Sequence, residues 1–144
     1  MRQTATQVMT FFASPILAIG FGAFLLCAET CRHFESVLSL PETWRALPIH
    51  DWLAGLFLVY GGVRNQRDRG TGRLYQLTAW AFSVSLLCGA FFRHLEEWSP
   101  QTPEDGWISE PALVSIIGVL LAVSLCGLVS TMVLMNSRRR DEPA

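Results

Sequence analysis

Histidine, acidic and arginine side chains gather where the apolar segments of this chain end. The clearest case is 93–98 (RHLEEW), which closes a long apolar run. His94 and Glu97 are three residues apart, and Glu29 and His33 are four apart, so each pair can share a helix face. A carboxylate and an imidazole on one face can bind a metal ion together. These spacings predict a metal site made of Glu29, His33, His94 and Glu97.

The histidines are also candidate cofactor ligands. His33, His50 and His94 are the three histidines of the chain, and all three fall in the same half of the predicted membrane protein. Histidines on two helices can ligate a b-type haem or a metal ion, and an arginine beside a histidine can hold a quinone carbonyl or an anionic headgroup. Imidazoles near carboxylates are also suited to sensing pH. No motif selects one of these chemistries.

Asp51 and Arg93 are predicted to form a structural pair. Arg64 begins a group of arginines that we expect at the cytoplasmic surface of a membrane. At about 1.5 Å per helical residue, Asp51 lies roughly 20 Å from that surface, inside a hydrocarbon core of about 30 Å. An ionised carboxylate facing lipid is costly, so Asp51 should face the other helices and find a partner. Arg93 can reach inward from the rim. The competing interpretation is a functional polar pocket that also includes the histidines and glutamates named above.

Composition places these residues in a membrane protein. The chain has 144 residues, of which 51% are hydrophobic, and its mean hydropathy is positive. It is too apolar for a soluble domain of this size, and we interpret residues 1–144 as one integral membrane domain. The formal net charge of −1 gives no electrostatic reason to expect nucleic acid as a partner.

Hydropathy predicts an all-α, up-and-down bundle of four transmembrane helices. The predicted spans are 8–28, 47–64, 74–93 and 112–135. They leave two outer loops, 29–46 and 94–111, a cytoplasmic loop, 65–73, and a cytoplasmic tail, 136–144. The span 47–64 is the weakest, because its uncharged stretch is shorter than the roughly 20 residues that a crossing helix needs. The first span reads as a retained helix with a kink at Pro15, since it is longer than the apolar core of a signal peptide.

Charge fixes the predicted orientation. With four crossings, most arginines fall on one side of the membrane: Arg2, Arg64, Arg67, Arg69, Arg73, Arg138, Arg139 and Arg140. By the positive-inside rule that side is cytoplasmic, so both termini are cytoplasmic. We expect the inner (cytoplasmic) membrane of a bacterium.

Small residues recur every four positions in three of the predicted spans. The stripes are Ser14, Ala18 and Gly22; Ala81, Ser85 and Gly89; and Gly118, Ala122, Cys126 and Ser130. Such stripes let helix backbones approach closely in lipid. We expect them to pack within the chain; self-association or contact with other membrane subunits is the alternative. The second stripe continues in register into Arg93, at the charged end.

Sequence motifs do not identify a catalytic centre. The chain has no phosphate-binding glycine loop, no Cys-x-x-Cys-His and no His-Glu-x-x-His. Cys27 and Cys31 are four apart, which argues against a membrane thiol oxidoreductase. We therefore predict a non-catalytic accessory or assembly subunit of a membrane complex. The alternative is a redox or transport component that binds haem, a metal ion or a quinone with the outward histidine, carboxylate and arginine cluster.

Overall fold

The computed structural model describes residues 2–32, 49–97 and 109–141, and these residues form five α-helices. In chain order they are α1 (Arg2–Phe12), α2 (Pro15–Arg32), α3 (Ile49–Arg67), α4 (Thr71–Glu97) and α5 (Glu110–Asp141). The described ranges contain no strand. The prediction of an all-α protein is therefore confirmed.

Three helices are long and apolar enough to cross a membrane, as expected for a membrane protein. They are Pro15–Arg32, Thr71–Glu96 and Pro111–Ser137. The predicted span 47–64 does form a helix, α3, but α3 is not among these three. Its ends are polar: His50 and Asp51 lie in the first turn, and Arg64 and Arg67 in the last.

The predicted span 8–28 is not a single helix, because the chain breaks between α1 and α2. Pro15 has no N–H group to continue the hydrogen-bond ladder of α1, and it occupies the first position of α2, where that loss is harmless. The Ser14 Oγ accepts the N–H of Ile16 at 3.2 Å and so caps the start of α2. The apolar helix thus begins and ends later than predicted, and the residues before it form the separate helix α1.

A buried amide of α4 stabilises this break. The Gln76 Nε2 donates to the carbonyl oxygens of Ala13 (3.1 Å) and Ser14 (3.4 Å), and its Oε1 accepts from the Asn65 Nδ2 at 2.5 Å. Carbonyl groups beside a proline break need such a partner where water is scarce. One side chain therefore links the α1–α2 break, α3 and α4.

The helices α2, α3 and α4 run antiparallel to one another in turn. The helix α3 packs against α2 and α4, α5 packs against α4, and α1 packs against α5. Ring pairs give the direction of α3 and α4: Phe57 lies 5.9 Å from Phe82, and Tyr60 lies 5.5 Å from Tyr75, between ring centroids. Because residue numbers rise on α3 as they fall on α4, these two helices are antiparallel.

Glycines bring α2 and α3 into close contact. A Cβ added to Gly22 would lie 2.6 Å from the carbonyl oxygen of Gly55, and one added to Gly62 would lie 2.7 Å from the carbonyl oxygen of Pro15. Real Cβ atoms do not approach an oxygen so closely, so only glycine fits at these positions. The pairing also shows that α2 and α3 are antiparallel.

The core surrounds Trp80, which is fully buried. Its ring lies 5.5 Å from the ring of Phe21, and it fills the space beside Gly127, where an added Cβ would lie 2.5 Å from a ring carbon. The core side chains come from α2, α3, α4 and α5: Ala18, Phe21, Leu25, Leu58, Ala79, Trp80, Leu87 and Ile117.

The small-residue stripes of α2 and α4 behave differently. In α2, Ala18 and Gly22 are buried against the neighbouring helices, as predicted. In α4, Ala81, Ser85 and Gly89 are exposed, and a Cβ added to Gly89 would meet nothing within 4 Å. The prediction that the α4 stripe packs within the chain is therefore wrong.

Some residues of the small-residue stripe of α5 are buried and others are exposed. Ser130 is buried and Gly118 is half-buried, whereas Ala122 and Cys126 are exposed. The buried contacts of α5 come instead from residues such as Gly127, which faces the Trp80 ring.

Candidate functional site

A small cavity of about 70 Å³ lies where α2 and α4 end and where α3 and α5 begin. Its titratable lining comes from Glu29 and Arg32 of α2, Asp51 of α3 and His94 of α4, and α5 contributes Ile117 and Leu120 to the wall. Three of the predicted site residues, Glu29, Asp51 and His94, thus line one cavity.

Local sequence positions each of these side chains. Glu29 and Arg32 lie in the last turn of α2, three residues apart, and form an ion pair at 3.8 Å. Asp51 lies in the first turn of α3, where the helix dipole favours a negative charge. His94 lies in the last turn of α4, where the dipole favours a positive one. The antiparallel packing brings these three helix ends together.

Other predicted site residues lie elsewhere. His50 and Arg93 are exposed, and neither lines the small cavity. His33 lies outside the described residues. Glu97 is the last residue of α4, and the structure describes its backbone but not its side chain. Pairing of Asp51 with Arg93 stays a prediction.

Arg32 is the charged residue of the small cavity that the sequence did not predict. It lies beside Glu29, Asp51 and His94 in the lining. Its position three residues after Glu29 could have predicted the ion pair, because side chains at that spacing are neighbours on a helix and α2 continues to Arg32.

The small cavity is suited to water-sized contents. Its volume of about 70 Å³ compares with about 30 Å³ for one water molecule in the liquid, and with several hundred Å³ for pockets that hold organic ligands. A haem or quinone ring therefore does not fit in it. Among the residues that the structure describes, no group of three or more His, Cys, Asp or Glu side chains is arranged to hold a metal ion.

A second, large cavity of about 1030 Å³ lies at the opposite end of the molecule, between α1, the α3–α4 connection and α5. The helix α1 presents uncharged polar residues at helical spacing to it: Gln3, Thr6, Gln7 and Thr10. Facing them are Arg69 and Arg73 on either side of the start of α4, with Thr131 and Leu134 of α5. The sequence did not predict this cavity, because residues 8–12 of α1 were assigned to the first membrane span.

The α3–α4 connection is held by the carboxylate of Asp68. Its Oδ1 accepts the N–H of Gly70 at 2.9 Å, and its Oδ2 accepts the hydroxyl of Thr71. These hydrogen bonds, together with the charge of Arg64, hold the pKa of Asp68 below its ordinary value of 3.8. The guanidinium of Arg64 also lies over the ring of Tyr75, 5.8 Å from its centroid.

Comparison of this chain with protein families, with characterised proteins and with solved structures found no match.

Proposed function

We propose that the chain is a multi-pass membrane protein in which α2, α3, α4 and α5 all cross the bilayer, up and down. The three candidate spans support this, and so does the position of α3 between two of them. Ala54, Leu58 and Asn65 of α3 are buried by the neighbouring helices. A helix shielded on both sides needs fewer apolar residues than one that faces lipid all round, because its polar groups find protein partners.

Both termini are then cytoplasmic in this proposal. Arg67 ends α3 and Arg69 lies in the connection to α4. This connection shares one end of the molecule with α1 and with the second half of α5, as the lining of the large cavity indicates. The arginine-rich segment 138–140 continues α5 beyond that end. By the positive-inside rule this end faces the cytoplasm, and the inner membrane of a bacterium fits that orientation.

The proposed function is that of a non-catalytic accessory or assembly subunit, and the exposed face of α4 carries this proposal. Exposed residues follow this face at helical spacing, with small residues in its middle: Leu74, Thr78, Ala81, Ser85, Gly89 and Phe92. Lipid gives helices no hydrophobic reason to associate, so small residues that allow close backbone approach are what joins them. This face offers such an approach to a helix from another subunit or from a second copy.

A matched pair of glycine substitutions tests this. Gly89 and Gly20 are both exposed, and a Cβ added to either meets nothing within 4 Å, so the two positions are matched sites for adding a side chain to the isolated chain. Gly89→Leu should block close approach at α4 and weaken association about tenfold or more, or about 1.4 kcal/mol. Gly20→Leu should leave association unchanged. Native mass spectrometry in mild detergent, with chemical crosslinking in membranes, measures both.

Two results would overturn the proposal. One is association that survives Gly89→Leu unchanged, and the other is an equal loss in Gly20→Leu. Far-ultraviolet circular dichroism of both variants separates loss of association from loss of folding.

The alternative function, a haem, metal or quinone component, has less support. Of its proposed residues whose side chains the structure describes, Glu29, Asp51 and His94 line the small cavity, whereas His50 does not, and that cavity has no room for an organic cofactor. The absorption spectrum and metal content of the purified chain test it: a haem band or one metal ion per chain would restore it. The remaining partner in our proposal is the bilayer itself, and we propose no nucleic-acid partner.

A further inference from the structure

The small cavity extends from one end of the bundle to the middle of α4. Its lining on α4 follows one face of the helix: Ser83, Leu87, Ala90 and His94. Ser83 and His94 are eleven residues apart, which corresponds to about 16 Å along the helix. Because α4 runs from Thr71 to Glu97, Ser83 lies close to its midpoint. The small cavity therefore reaches about halfway along a helix that we propose to cross the membrane.

The large cavity extends into the same bundle from the opposite end. Asn65 of α3 and Thr131 of α5 line it, and both side chains are buried. The Asn65 amide donates to Gln76 of α4, so the cavity reaches the level of Gln76 on that helix. Gln76 and Ser83 are seven residues apart, which corresponds to about 10 Å. About two turns of α4 thus separate the two cavities, and we call this region the gap.

The helix α5 passes through the same gap, antiparallel to α4. A Cβ added to Gly118 would lie 3.2 Å from the ring of Phe91, and one added to Gly127 would lie against the ring of Trp80. Residue numbers therefore rise on α5 as they fall on α4. This pairing gives the level of each α5 residue relative to α4.

Two polar groups at the gap lack a hydrogen-bond partner in the described part of the chain. They are the Ser124 hydroxyl and the Trp80 indole N–H, and both side chains are fully buried. Ser124 lies three residues before Gly127 and Ser83 lies three after Trp80, so the two serines are at about the same level. A buried polar group without a partner is costly, and ordered water is the usual means of satisfying it. The gap therefore favours water beside Ser124 and Trp80.

We propose that the two cavities and the gap between them form a pathway for protons across the membrane. Water in the cavities and beside Ser124 and Trp80 passes the proton from one molecule to the next. Only O–H and N–H bonds form and break, and each proton that enters on one side releases one on the other. The membrane potential or a pH difference drives the flux. The pathway rests on the four crossings proposed above, but not on association with another subunit.

Titratable side chains lie at one entrance of this pathway. Glu29, Asp51 and His94 line the small cavity, and Arg32 forms an ion pair with Glu29. Imidazole exchanges protons near neutral pH, and carboxylates accept them. Ionisable groups that face the inside of a membrane bundle are typical of proton relays.

The gap favours protons over other ions. Its polar groups, the Ser124 hydroxyl and the Trp80 indole, are neutral and few. They cannot replace the hydration shell of a sodium or potassium ion, and an ion that leaves its water in a bundle interior is costly. A proton needs only a chain of hydrogen bonds.

Proton flux into vesicles tests the proposal. The full chain is reconstituted in phosphatidylcholine vesicles that contain a pH-sensitive dye, and a potassium gradient with valinomycin drives proton uptake. Vesicles with the wild-type protein should acidify several-fold faster than vesicles without protein. Vesicles that contain a sodium-sensitive dye should take up sodium no faster with the protein than without it.

Variants link the flux to the gap. Ser124→Ala should lower the flux about fivefold, as expected for loss of one hydrogen bond to water in the pathway. It should leave the unfolding temperature unchanged, because the hydroxyl has no partner within the described chain. Ser85→Ala removes a hydroxyl from the exposed face of α4, near the same depth, and should conduct as the wild type does. Asp51→Asn should lower the flux at the entrance.

Three outcomes would overturn the proposal. They are a flux no higher than that of protein-free vesicles, an equal loss in Ser124→Ala and Ser85→Ala, and sodium uptake that accompanies the protons. Gly89→Leu should conduct as the wild type does, so failure of the association proposal leaves the pathway intact. Maleimide labelling of Cys31 and of Ser137→Cys in cells reports the number of crossings, so a wrong topology and an absent pathway give different results.

Discussion

Individual polar side chains stabilise the end of the molecule where α3 turns into α4. The carboxylate of Asp68 accepts two hydrogen bonds within the turn, and the buried amide of Gln76 joins the α1–α2 break to Asn65. Each therefore binds backbone groups at a turn or at a helix end.

The stability contributed by Asp68 should depend on pH. Because its pKa is lowered in the folded chain, the carboxylate stabilises the fold above the ordinary value of 3.8, and that stabilisation is lost as the pH falls through the folded pKa. Asp68→Ala should lower the unfolding temperature by a few degrees at pH 7 and by much less in strong acid. Thermal unfolding in detergent as a function of pH measures this.

Asp68→Asn is the matched control for that experiment. It keeps an oxygen that can accept the N–H of Gly70, and its side chain does not titrate in this range. Because it lacks the charge, it should lose the pH-dependent part of the stabilisation at neutral pH, but its deficit should be smaller than that of Asp68→Ala. A deficit of Asp68→Ala that grows on acidification would contradict the assignment.

The face that α4 turns toward its neighbours explains which residues of the small cavity could be predicted from the sequence. Glu29, Asp51 and His94 were predicted to come near one another, and all three line the small cavity. Arg93 was predicted to face inward because it continues the stripe of Ser85 and Gly89, but that whole stripe is exposed. One residue later, the helix turns His94 toward the neighbouring helices. Choosing the wrong face of α4 thus accounts both for the exposed stripe and for the exposed Arg93.

At the scale of helices, close backbone contact decides which positions tolerate a side chain. Gly22 touches the backbone of Gly55, whereas Gly20, two residues earlier in α2, faces open space. Adding a methyl group at these two positions therefore has opposite consequences.

Gly22→Ala should destabilise the protein by about 1 to 3 kcal/mol, because the new Cβ would lie 2.6 Å from the Gly55 oxygen and α2 would have to move away from α3. Gly20→Ala should stabilise it by about 0.5 to 1 kcal/mol, because alanine loses less backbone entropy than glycine in a helix. Unfolding in mixed micelles with increasing sodium dodecyl sulfate measures both. Equal stability of the two variants would show that α2 and α3 are not in close contact there.

Helix existence was predictable from the sequence, but helix faces were not. Long uncharged runs mark α4 and α5, and Ser14 followed by Pro15 is a typical start of a helix, which locates α2 in retrospect. In a membrane protein both faces of a helix are apolar, so periodicity does not distinguish the buried face from the exposed one. The large cavity depends on the angle between α1 and α2 at the break, and no local residue pattern encodes that angle.

At the scale of the whole molecule, the two ends differ in charge and in the space they enclose. One end has the small cavity lined by Glu29, Arg32, Asp51 and His94. The other has the large cavity lined by Arg69 and Arg73. The proposed orientation depends on whether α3 crosses the membrane, because the number of crossings decides which end faces the cytoplasm.

The most direct test of four crossings compares a cysteine at each end. Cys31 lies exposed in the last turn of α2, and Ser137 lies exposed near the end of α5. Three crossings separate these positions if α3 spans the membrane, and two separate them if it does not. Each cysteine is placed alone in a background that lacks the other cysteines, with Ser137→Cys as the second variant, and is labelled in cells with a membrane-impermeant maleimide.

We predict that Cys31 is labelled in intact cells and that Ser137→Cys is labelled only after the membrane has been opened. Labelling of both residues from the same side would show that α3 does not cross and would contradict the four-helix arrangement.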